Sequence, residues 1–392
     1  MQSFSTEFST IDPPCIRCAY FPACSGCQIQ DHVTFPPTFK DVECFFKSID
    51  PQLEIPLISK EIIGWRTRAK LAIRGTSQNP QIGLFKKHTH DVVSIPDCPL
   101  HHPSILKAYA IVEKTIIETG ISLYNEKKAT GILRYVQFFV ETESGRIQVC
   151  FVINQEKKNA ILENFALKIS QNALFSGVWF NYQTEPINRI FGEKWEHLYG
   201  APYAWNKISG VSFAFHPACF SQAHLSLFEK IIESIQLSLL KKKRVLDLYS
   251  GVGVIGLSVA FLSESVVCSE INPFAKECFD LSRSHLDAET QKKTSFICGN
   301  SQAHPHLIDL ADVVIVDPPR KGLDPSLLDK VATTPTLSQL IYVSCFFPSF
   351  QRDCLKLIEK GWKIKKAETY LLFPGTDQLE TLCIFERDAN SL

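Results

Sequence analysis

The chain has 392 residues, and its 41 basic and 41 acidic side chains give a net charge of zero. This length predicts two or three domains. Zero net charge argues against binding nucleic acid by bulk charge, so any such site must be a local basic patch. The composition is that of a soluble globular protein, and no apolar run is long enough to cross a membrane. The first fourteen residues lack the features of a signal peptide, so we expect a cytoplasmic protein.

The fourteen cysteines fall into two groups. Ten are scattered from Cys44 onward, as expected of small buried hydrophobic residues in a reducing compartment. The other four, Cys15, Cys18, Cys24 and Cys27, crowd together in a way that burial does not explain. Their spacing, Cys-x2-Cys-x5-Cys-x2-Cys, could by itself form a four-thiolate zinc site. Zinc ribbons, however, usually have a longer spacer between their two pairs.

The first part of the chain predicts an α+β region. Residues 62–73, IIGWRTRAKLAI, alternate between apolar and basic side chains, which predicts a strand. A helix is expected over residues 104–119, with Ser104 as its cap and Gly120 at its end. Residues 132–153 predict a hairpin, and a second helix and more strands follow.

From about residue 221 the chain alternates between helical stretches and short apolar strands. The strands are expected near residues 245–249, 265–271, 295–298, 312–317 and 340–344. This alternation predicts an α/β fold with a doubly wound, mainly parallel sheet. Two further strands, residues 363–373 and 381–387, are expected to be antiparallel. We therefore expect two units, residues 1–210 and 211–392.

Residues 245–256, VLDLYSGVGVIG, combine a strand, a glycine-rich turn and the start of a helix. Gly251 and Gly253 let the backbone turn tightly and approach a ligand. Glu270 ends the next strand, where a carboxylate can bind the two hydroxyls of a ribose. Asp247 lies before the glycines, and a carboxylate aimed at a ligand suits the sulfonium cation of S-adenosylmethionine better than a pyrophosphate. The pattern favours S-adenosylmethionine, with a nucleotide or a purely structural loop as alternatives.

A carboxylate and a thiol are expected at the same edge of this sheet. Asp317 follows a buried strand and precedes two prolines, which hold the loop rigid. Cys345 ends the next strand. The alternatives are simple strand termination and a structural thiol. Beside a methyl donor, a thiol could instead add to carbon-6 of a pyrimidine and make carbon-5 nucleophilic. Glu380, between the last two strands, is a candidate base for the carbon-5 proton.

These segments together resemble the bacterial RNA uracil-5-methyltransferases, in particular the iron–sulfur 23S rRNA type. The matching segments occur in the same order over residues 15 to 387: the cysteine cluster, Gly64-Trp-Arg-Thr-Arg-Ala-Lys-Leu, Ile82-Gly83-Leu-Phe, Asp97-Cys98-Pro99, Phe220-Ser-Gln222, the glycine loop, Glu270, Asp317-Pro-Pro-Arg320-Lys-Gly322, Val343-Ser-Cys345 and the loop over residues 373–380. The resemblance implies a class I methyltransferase domain, preceded by an α+β domain with an iron–sulfur cysteine cluster. It also implies methylation of a uridine in structured RNA, with 23S rRNA favoured and tRNA as the alternative.

The resemblance also implies roles for individual residues. Cys345 corresponds to the nucleophile and Glu380 to the base. The family contacts S-adenosylmethionine at the positions of Gln222, Tyr249, Glu270, Asn300 and Asp317. Its metal ligands, which hold a 4Fe–4S cluster, correspond to Cys18, Cys24, Cys27 and Cys98, which leaves Cys15 spare. Either metal would attach a loop-rich segment to the rest of the fold.

The chain departs from the family pattern near the reaction centre. The family usually follows its cysteine with Asn-Pro, whereas this chain has Phe346-Phe347. Gly375 and Gln378 stand where two histidines are common, and Asn300 stands where an aspartate is common. These differences concern the shape of the uracil pocket rather than the nucleophile and the base.

RNA recognition is expected within residues 15–210. Many family members carry a small RNA-binding β-barrel before the cysteines, for which this chain has no room. A local basic surface is predicted from Arg66, Arg68, Lys70, Arg74 and Lys86-Lys87, although such charges often only solvate a face. The competing functions are an NAD-dependent iron–sulfur oxidoreductase, a non-catalytic RNA-binding protein with the same fold, and a cytosine-5 methyltransferase.

Overall fold

The structure is a computed structural model that describes residues 14–300 and 304–387. In these ranges the chain forms a seven-stranded sheet, an eight-stranded sheet and a two-stranded hairpin. Over the same residues, no helix has both the length and the apolar character that a membrane span requires.

The seven-stranded sheet belongs to the first half of the chain. The elements of this half are α1 (Thr38–Ile49), β1 (Leu57–Ile58), β2 (Arg68–Thr76), β3 (Asn79–Phe85), β4 (Val92–Ser94), α2 (Pro103–Thr119), β5 (Leu133–Val140), β6 (Ile147–Ile153), α3 (Ala160–Ser170), β7 (Phe175–Tyr182) and β8 (Lys194–Gly200). The order in the sheet is β4-β3-β2-β5-β6-β7-β8, and only β6 and β7 are parallel. Side chains of α2 and α3 share one apolar core with the inner face of the sheet.

The predicted hairpin and the helix over residues 104–119 are both present. Gly120 ends the helix as predicted, with φ of 64°, whereas the N-cap is His102 in place of Ser104, and its side chain accepts a hydrogen bond from the Ser104 N–H. The first predicted strand is also shorter than expected. It begins at Arg68, whereas Arg66 forms only an isolated bridge with His101.

The second half contains the hairpin and the eight-stranded sheet. Its elements are β9 (Ala204–Ile208), β10 (Val211–Phe215), α4 (Leu225–Ser238), β11 (Arg244–Leu248), α5 (Val254–Val259), β12 (Ser265–Glu270), α6 (Pro273–Arg283), α7 (Ala288–Lys293), β13 (Thr294–Cys298), α8 (His306–Asp309), β14 (Val313–Val316), α9 (Pro325–Thr333), β15 (Gln339–Ser344), α10 (Phe347–Glu359), β16 (Lys363–Tyr370) and β17 (Glu380–Glu386). The order is β1-β16-β17-β15-β14-β11-β12-β13.

The predicted doubly wound sheet is confirmed. Strands β11 to β15 pair in parallel, and β17 is antiparallel to both β15 and β16. The central strands are apolar on both faces because helices cover the sheet from both sides. Two separate hydrophobic cores result, one on each face. Parallel strands end at one common edge, and this edge carries the candidate site.

The segment before the first sheet packs on the second sheet. Strand β1 pairs in parallel with β16, with Leu57 opposite Thr369. Phe45 and Phe46 of α1 lie in the same core as side chains of β14 and β15. The division at residue 210 stays a prediction, and elements from before that point complete the eight-stranded sheet.

Candidate active site

The last strands bring Cys345 and Glu380 together. Antiparallel pairing of β15 with β17 places Ser344 opposite Thr381, so the next register step sets Cys345 opposite Glu380. Glu380 is fully buried, and within the described residues neither of its carboxylate oxygens has a hydrogen-bond partner. Cys345 is half-buried. A thiol and a carboxylate thus meet at the edge of the sheet where ligands bind in this architecture.

The electrostatics of this pair also involve Asp317. Burial, helped by the charges of Glu380 and Asp317, raises the pKa of Cys345 to about 11, while Arg320 acts in the opposite direction. Burial, with Asp317 as a second cause, raises the pKa of Glu380 well above its usual range. Burial raises the pKa of Asp317 to about 7. Each anion disfavours the others, so a bound cation would shift all three groups toward their ionised forms.

A cavity beside Asp317 collects the predicted cofactor residues. Its lining includes Gln222, Tyr249, Gly251 and Asp317. At its rim, the carboxylate of Glu270 accepts hydrogen bonds from the N–H groups of Gly251 at 3.1 Å and Asn272 at 2.9 Å.

The remaining two predicted cofactor residues lie close by. Gly253 is the residue before α5, in the same glycine loop as Gly251. Asn300 follows Gly299, whose N–H donates to the main-chain carbonyl of Glu270 at 2.8 Å. Because of that hydrogen bond, Asn300 lies next to the carboxyl-terminal end of β12.

The glycine loop needs left-handed backbone at three positions. Tyr249, Gly251 and Gly253 have φ values of 60°, 55° and 83°. A Cβ at Gly253 would lie 2.6 Å from Cδ2 of Phe279, so only glycine fits there. Tyr249 is a non-glycine residue in this sparsely populated region, and such residues cluster at functional sites.

Asp247 has a different surrounding from the one expected. It is fully buried, and its Oδ2 accepts a hydrogen bond from the Gly256 N–H at 2.9 Å. Burial raises the pKa of this carboxyl to about 8. The side chain therefore holds the start of α5 in place, and it also forms part of the cavity wall.

Sequence reasoning missed the group that fixes the loop after Asp317. Asp353 is fully buried and accepts hydrogen bonds from the Leu323 N–H at 2.9 Å and the Tyr342 hydroxyl at 2.8 Å. Its neighbour Arg352 donates to the Lys321 carbonyl at 3.0 Å. These bonds tie the loop to the helix that follows Cys345.

A second cavity, of about 400 Å³, opens beside Cys345. Its lining includes Cys345, Phe346 and Gln378, together with Gln28 and Asp41 from the start of the chain. The contribution of Gln28 and Asp41 has no local sequence signal, because they are more than 300 residues away from Cys345.

The four predicted metal ligands lie around one cavity. Cys18, Cys24, Cys27 and Cys98 line a space of about 90 Å³, and Cys15 is not among the lining residues. Burial is the main cause that raises the pKa of Cys27 to about 11, and the other three cysteines add to it. The thiols are therefore close enough to interact electrostatically.

The chemistry of this donor set suits a metal, since four thiolates can bind either zinc or an iron–sulfur cluster. Over residues 14–300 and 304–387, no three His, Cys, Asp or Glu side chains converge in a way that could hold one metal ion. The thiols thus line the walls of a cavity instead of meeting at one point, which is an arrangement unlike a mononuclear zinc site.

The predicted basic surface is smaller than expected. Arg68 and Arg74 are buried, with 8% and 7% of their surface exposed, because β2 lies inside the sheet. Arg68 donates to the Pro217 carbonyl at 3.0 Å, and Arg74 donates to the Arg134 carbonyl at 2.7 Å. These two arginines join parts of the fold, while Lys70 and Lys86-Lys87 remain exposed.

Comparison with known proteins gives three findings. The family model described as tRNA (uracil-5-)-methyltransferase matches residues 306–388. An uncharacterized RNA methyltransferase of Protochlamydia amoebophila is 40% identical over 96% of this chain and 99% of its own length. Another, from Staphylococcus epidermidis, is 30% identical over 99% of this chain and 86% of its own length.

A solved structure shares the fold. The tRNA (uracil-54, C5)-methyltransferase of Pyrococcus abyssi, in complex with S-adenosyl-L-homocysteine, superposes with a TM-score of 0.72. It is 23% identical and covers 93% of this chain and 86% of its own.

The fold is that of a class I methyltransferase. The two sequence relatives are named as RNA methyltransferases, and each matches this chain over most of its own length. The chain belongs to the RNA uracil-5-methyltransferase family.

Proposed function

We propose that this enzyme methylates carbon-5 of a uridine through a transient bond between the Cys345 sulfur and carbon-6 of the base. The observation that carries the proposal is the proximity of Cys345 to Glu380, each one residue beyond the pair Ser344–Thr381 of the β15–β17 ladder, with Asp317 close enough to act on both. Cys345 is the nucleophile, and Glu380 is the base. The cavity with Gln222, Tyr249, Gly251 and Asp317 takes S-adenosylmethionine, and Glu270 at its rim accepts from the ribose hydroxyls.

The chemistry follows from these positions. The Cys345 thiolate adds to carbon-6, and the electron pair of the carbon-5 to carbon-6 double bond moves onto the ring as an enolate. Carbon-5 then takes the methyl group from the sulfonium, which leaves as the neutral thioether. The Glu380 carboxylate removes the carbon-5 proton. The double bond forms again, and the thiolate departs from carbon-6.

A cation bound beside Asp317 explains how a thiol with a raised pKa becomes reactive. Without a nearby cation, burial and mutual repulsion favour the protonated forms of Cys345, Asp317 and Glu380. A sulfonium next to Asp317 favours the anions instead. Binding of the methyl donor is thereby coupled to ionisation of the groups that need to be charged.

Two exposed phenylalanines support an RNA substrate. Phe220 is 68% exposed beside the cofactor cavity, and Phe346 is 39% exposed beside Cys345. A uridine must leave its stack to reach the thiol, and aromatic faces can hold unstacked bases. The proposed substrate is 23S rRNA, as the resemblance suggests. The structural neighbour named as acting on tRNA keeps tRNA as the second candidate.

The cysteine site is proposed to hold a 4Fe–4S cluster on Cys18, Cys24, Cys27 and Cys98. Support comes from the lining of one cavity by these four thiols. The cluster has a structural role in this proposal, attaching the segment over residues 15–30 to Cys98. All fourteen cysteines are free thiols, which suits a cytoplasmic, reducing compartment.

The decisive experiment uses RNA that contains 5-fluorouridine, in which fluorine replaces the proton that Glu380 removes. The enzyme, S-adenosylmethionine and this RNA are expected to form a stable covalent complex, and peptide sequencing should place the link at Cys345. A complex linked elsewhere, or none, contradicts the proposal. Mapping 5-methyluridine in rRNA and tRNA from cells with and without the gene identifies the substrate.

The metal is tested separately. Anaerobically purified protein is expected to be brown, with about four iron atoms per chain. Loss of iron in a Cys98→Ser variant, but not in Cys15→Ser, supports the proposed ligand set. A colourless protein that contains zinc contradicts it.

A further inference from the structure

The segment that follows Cys27 is hydrogen-bonded to the loop that carries Glu380. The Gly375 carbonyl accepts from the N–H of Gln28 at 2.8 Å and from the N–H of Ile29 at 3.0 Å. Gly375 lies five positions before Glu380, where β17 begins. Two parts of the chain that are about 350 residues apart therefore form one local structure.

Position 375 favours glycine. Its φ is 89°, in the left-handed region that side chains rarely adopt. A Cβ there would lie 3.1 Å from the Cys27 sulfur and 3.2 Å from Cδ1 of Ile16, so any larger residue requires these neighbours to shift by a few tenths of an ångström.

Two more contacts hold the same loop. On one side of Gly375, Phe373 packs edge-on against Trp65 with ring centroids 6.2 Å apart. On the other side, the Asp377 carboxylate accepts from the Thr38 N–H at 2.9 Å. Cys27 and Cys98 pack against the small apolar cluster that includes Trp65. The loop is thus attached to the first part of the chain at three positions, Phe373, Gly375 and Asp377.

Glu380 itself has no side-chain attachment to compensate for a shift of this loop. Its two oxygens lack hydrogen-bond partners within the described residues. The location of the carboxylate is therefore set by the main chain of β17 and by packing. Glu380 is the first residue of β17, opposite Tyr370 of β16, so a displacement of the preceding loop acts on the strand end that carries the carboxylate.

We infer that Gly375 is a positioning residue: its contact with the segment from Cys27 to Ile29 sets where the Glu380 carboxylate stands relative to carbon-5 of the target uridine. This inference rests on the proposed function. It concerns one step, the removal of the proton that releases the covalent adduct. The cofactor cavity has no lining residue from the attached loop, so cofactor binding does not depend on it. Asp377 and Gln378 of the loop line the cavity beside Cys345, so a smaller effect on adduct formation is expected beside the larger effect on its resolution.

The test compares Gly375→Ala with Gly361→Ala. Gly361 has a similar φ of 86°, but a Cβ at that position would meet no atom within 4 Å, and the residue lies in the turn between α10 and β16, outside the loop. The full-length proteins are used as purified, with any metal that they contain. They are compared for S-adenosylmethionine affinity, for iron content, and for the rates of adduct formation and resolution on RNA that contains ordinary uridine. In Gly375→Ala the slowing of adduct resolution, relative to the wild type, is expected to exceed any slowing of adduct formation by at least about tenfold. Gly361→Ala is expected to match the wild type in both steps.

A second pair of variants covers the case in which Gly375→Ala does not fold. Asp377→Ala removes the acceptor for the Thr38 N–H, and Asp377→Asn keeps an oxygen in the same place. Slower adduct resolution in the alanine variant and recovery in the asparagine variant are expected, with unchanged affinity for S-adenosylmethionine.

The outcomes separate the two levels of the proposal. A wild-type enzyme that forms no adduct with 5-fluorouridine RNA overturns the proposed function itself. A wild-type enzyme that forms the adduct, with Gly375→Ala and Asp377→Ala resolving it at the wild-type rate, overturns only the positioning role. Equal losses in cofactor affinity and in both adduct steps assign Gly375 a purely structural role, which also contradicts the inference.

Discussion

Cys345 and Glu380 each lie one residue beyond Ser344–Thr381, the last pair of the ladder between β15 and β17, and the charge of Glu380 acts on the Cys345 thiol. Because this ladder holds the two strands in register, the thiol and the carboxylate come close without a hydrogen bond between them. The roles of these residues can therefore be separated by substitution without moving the partner.

Substitution Glu380→Gln is expected to slow turnover by about 10²–10⁴-fold, since the amide cannot accept the carbon-5 proton. The covalent complex with ordinary RNA should then accumulate, which denaturing gel electrophoresis can measure. Glu386→Gln, at the other end of the same strand, serves as the control and should behave as the wild type. Turnover of Glu380→Gln at the wild-type rate would remove Glu380 from the mechanism.

Binding of S-adenosylmethionine is expected to depend on pH. Burial raises the pKa of Asp317 to about 7, so this group is neutral below that pH and anionic above it. The affinity for the cationic sulfonium should fall as the pH drops through about 7, by up to about tenfold per pH unit for one group. S-adenosyl-L-homocysteine has no such cation and should show a much flatter profile.

Titration calorimetry between pH 5.5 and pH 8.5 measures both profiles. Asp247 lies in the same cavity wall, and its pKa is raised to about 8. The pH dependence of binding is therefore expected to continue above pH 7. The Asp317→Asn variant should bind more weakly and lose most of the dependence near pH 7. Parallel profiles for the two ligands would rule out Asp317 as the sulfonium partner.

Replacement of Gly251 and of Gly253 by alanine is expected to have different effects, the first mainly on cofactor binding and the second on stability. A Cβ at Gly251 meets no atom within 4 Å, so Gly251→Ala costs only about 1–2 kcal/mol for its left-handed backbone. Because Gly251 lines the cofactor cavity, this variant should mainly weaken S-adenosylmethionine binding. Gly253→Ala, against Phe279, should lose about 1–3 kcal/mol more stability. Urea unfolding and cofactor titration of both variants distinguish these effects, and equal stabilities would contradict the packing argument.

The buried Asp353 is expected to hold the loop that follows Asp317 in place. Asp353→Ala leaves the Leu323 N–H and the Tyr342 hydroxyl without their acceptor, at about 1–3 kcal/mol for each buried group. Turnover should fall as well, since the loop carries Asp317 and Arg320. The control is Asp329→Ala, whose exposed carboxylate pairs only at the surface with Lys356 and should change stability by less than about 1 kcal/mol. Similar unfolding midpoints for the two variants would argue against this role.

Local patterns in the sequence were enough to predict the second sheet. The strand before Gly251 and the strand that ends near Cys345 are short apolar runs followed by turn residues, and such signals depend only on neighbours in the chain. The same kind of signal predicted β16 and β17, the two antiparallel strands at the end of the chain. The helix over residues 104–119 was also correct apart from its cap.

The features that were missed are contacts between distant parts of the chain. No local pattern indicates that Gln28 reaches the cavity of Cys345 or that Thr38 binds Asp377. The burial of Arg68 and Arg74 was missed for a related reason. Alternation shows which residues share a face of β2, but it does not show that Pro217 and Arg134 cover that face.

Pairing of β1 with β16 has a consequence for how the molecule is made. During translation, residues 57–58 leave the ribosome about 305 residues before their partner strand begins. At 5–20 residues per second this delay is roughly 15–60 s. The phenylalanines of α1 lack the surface that later covers them until β14, β15 and α10 have been made. A ribosome stalled before β14 therefore carries a nascent chain in which the apolar face of α1 is uncovered, and chaperones that act at the ribosome are expected to bind there.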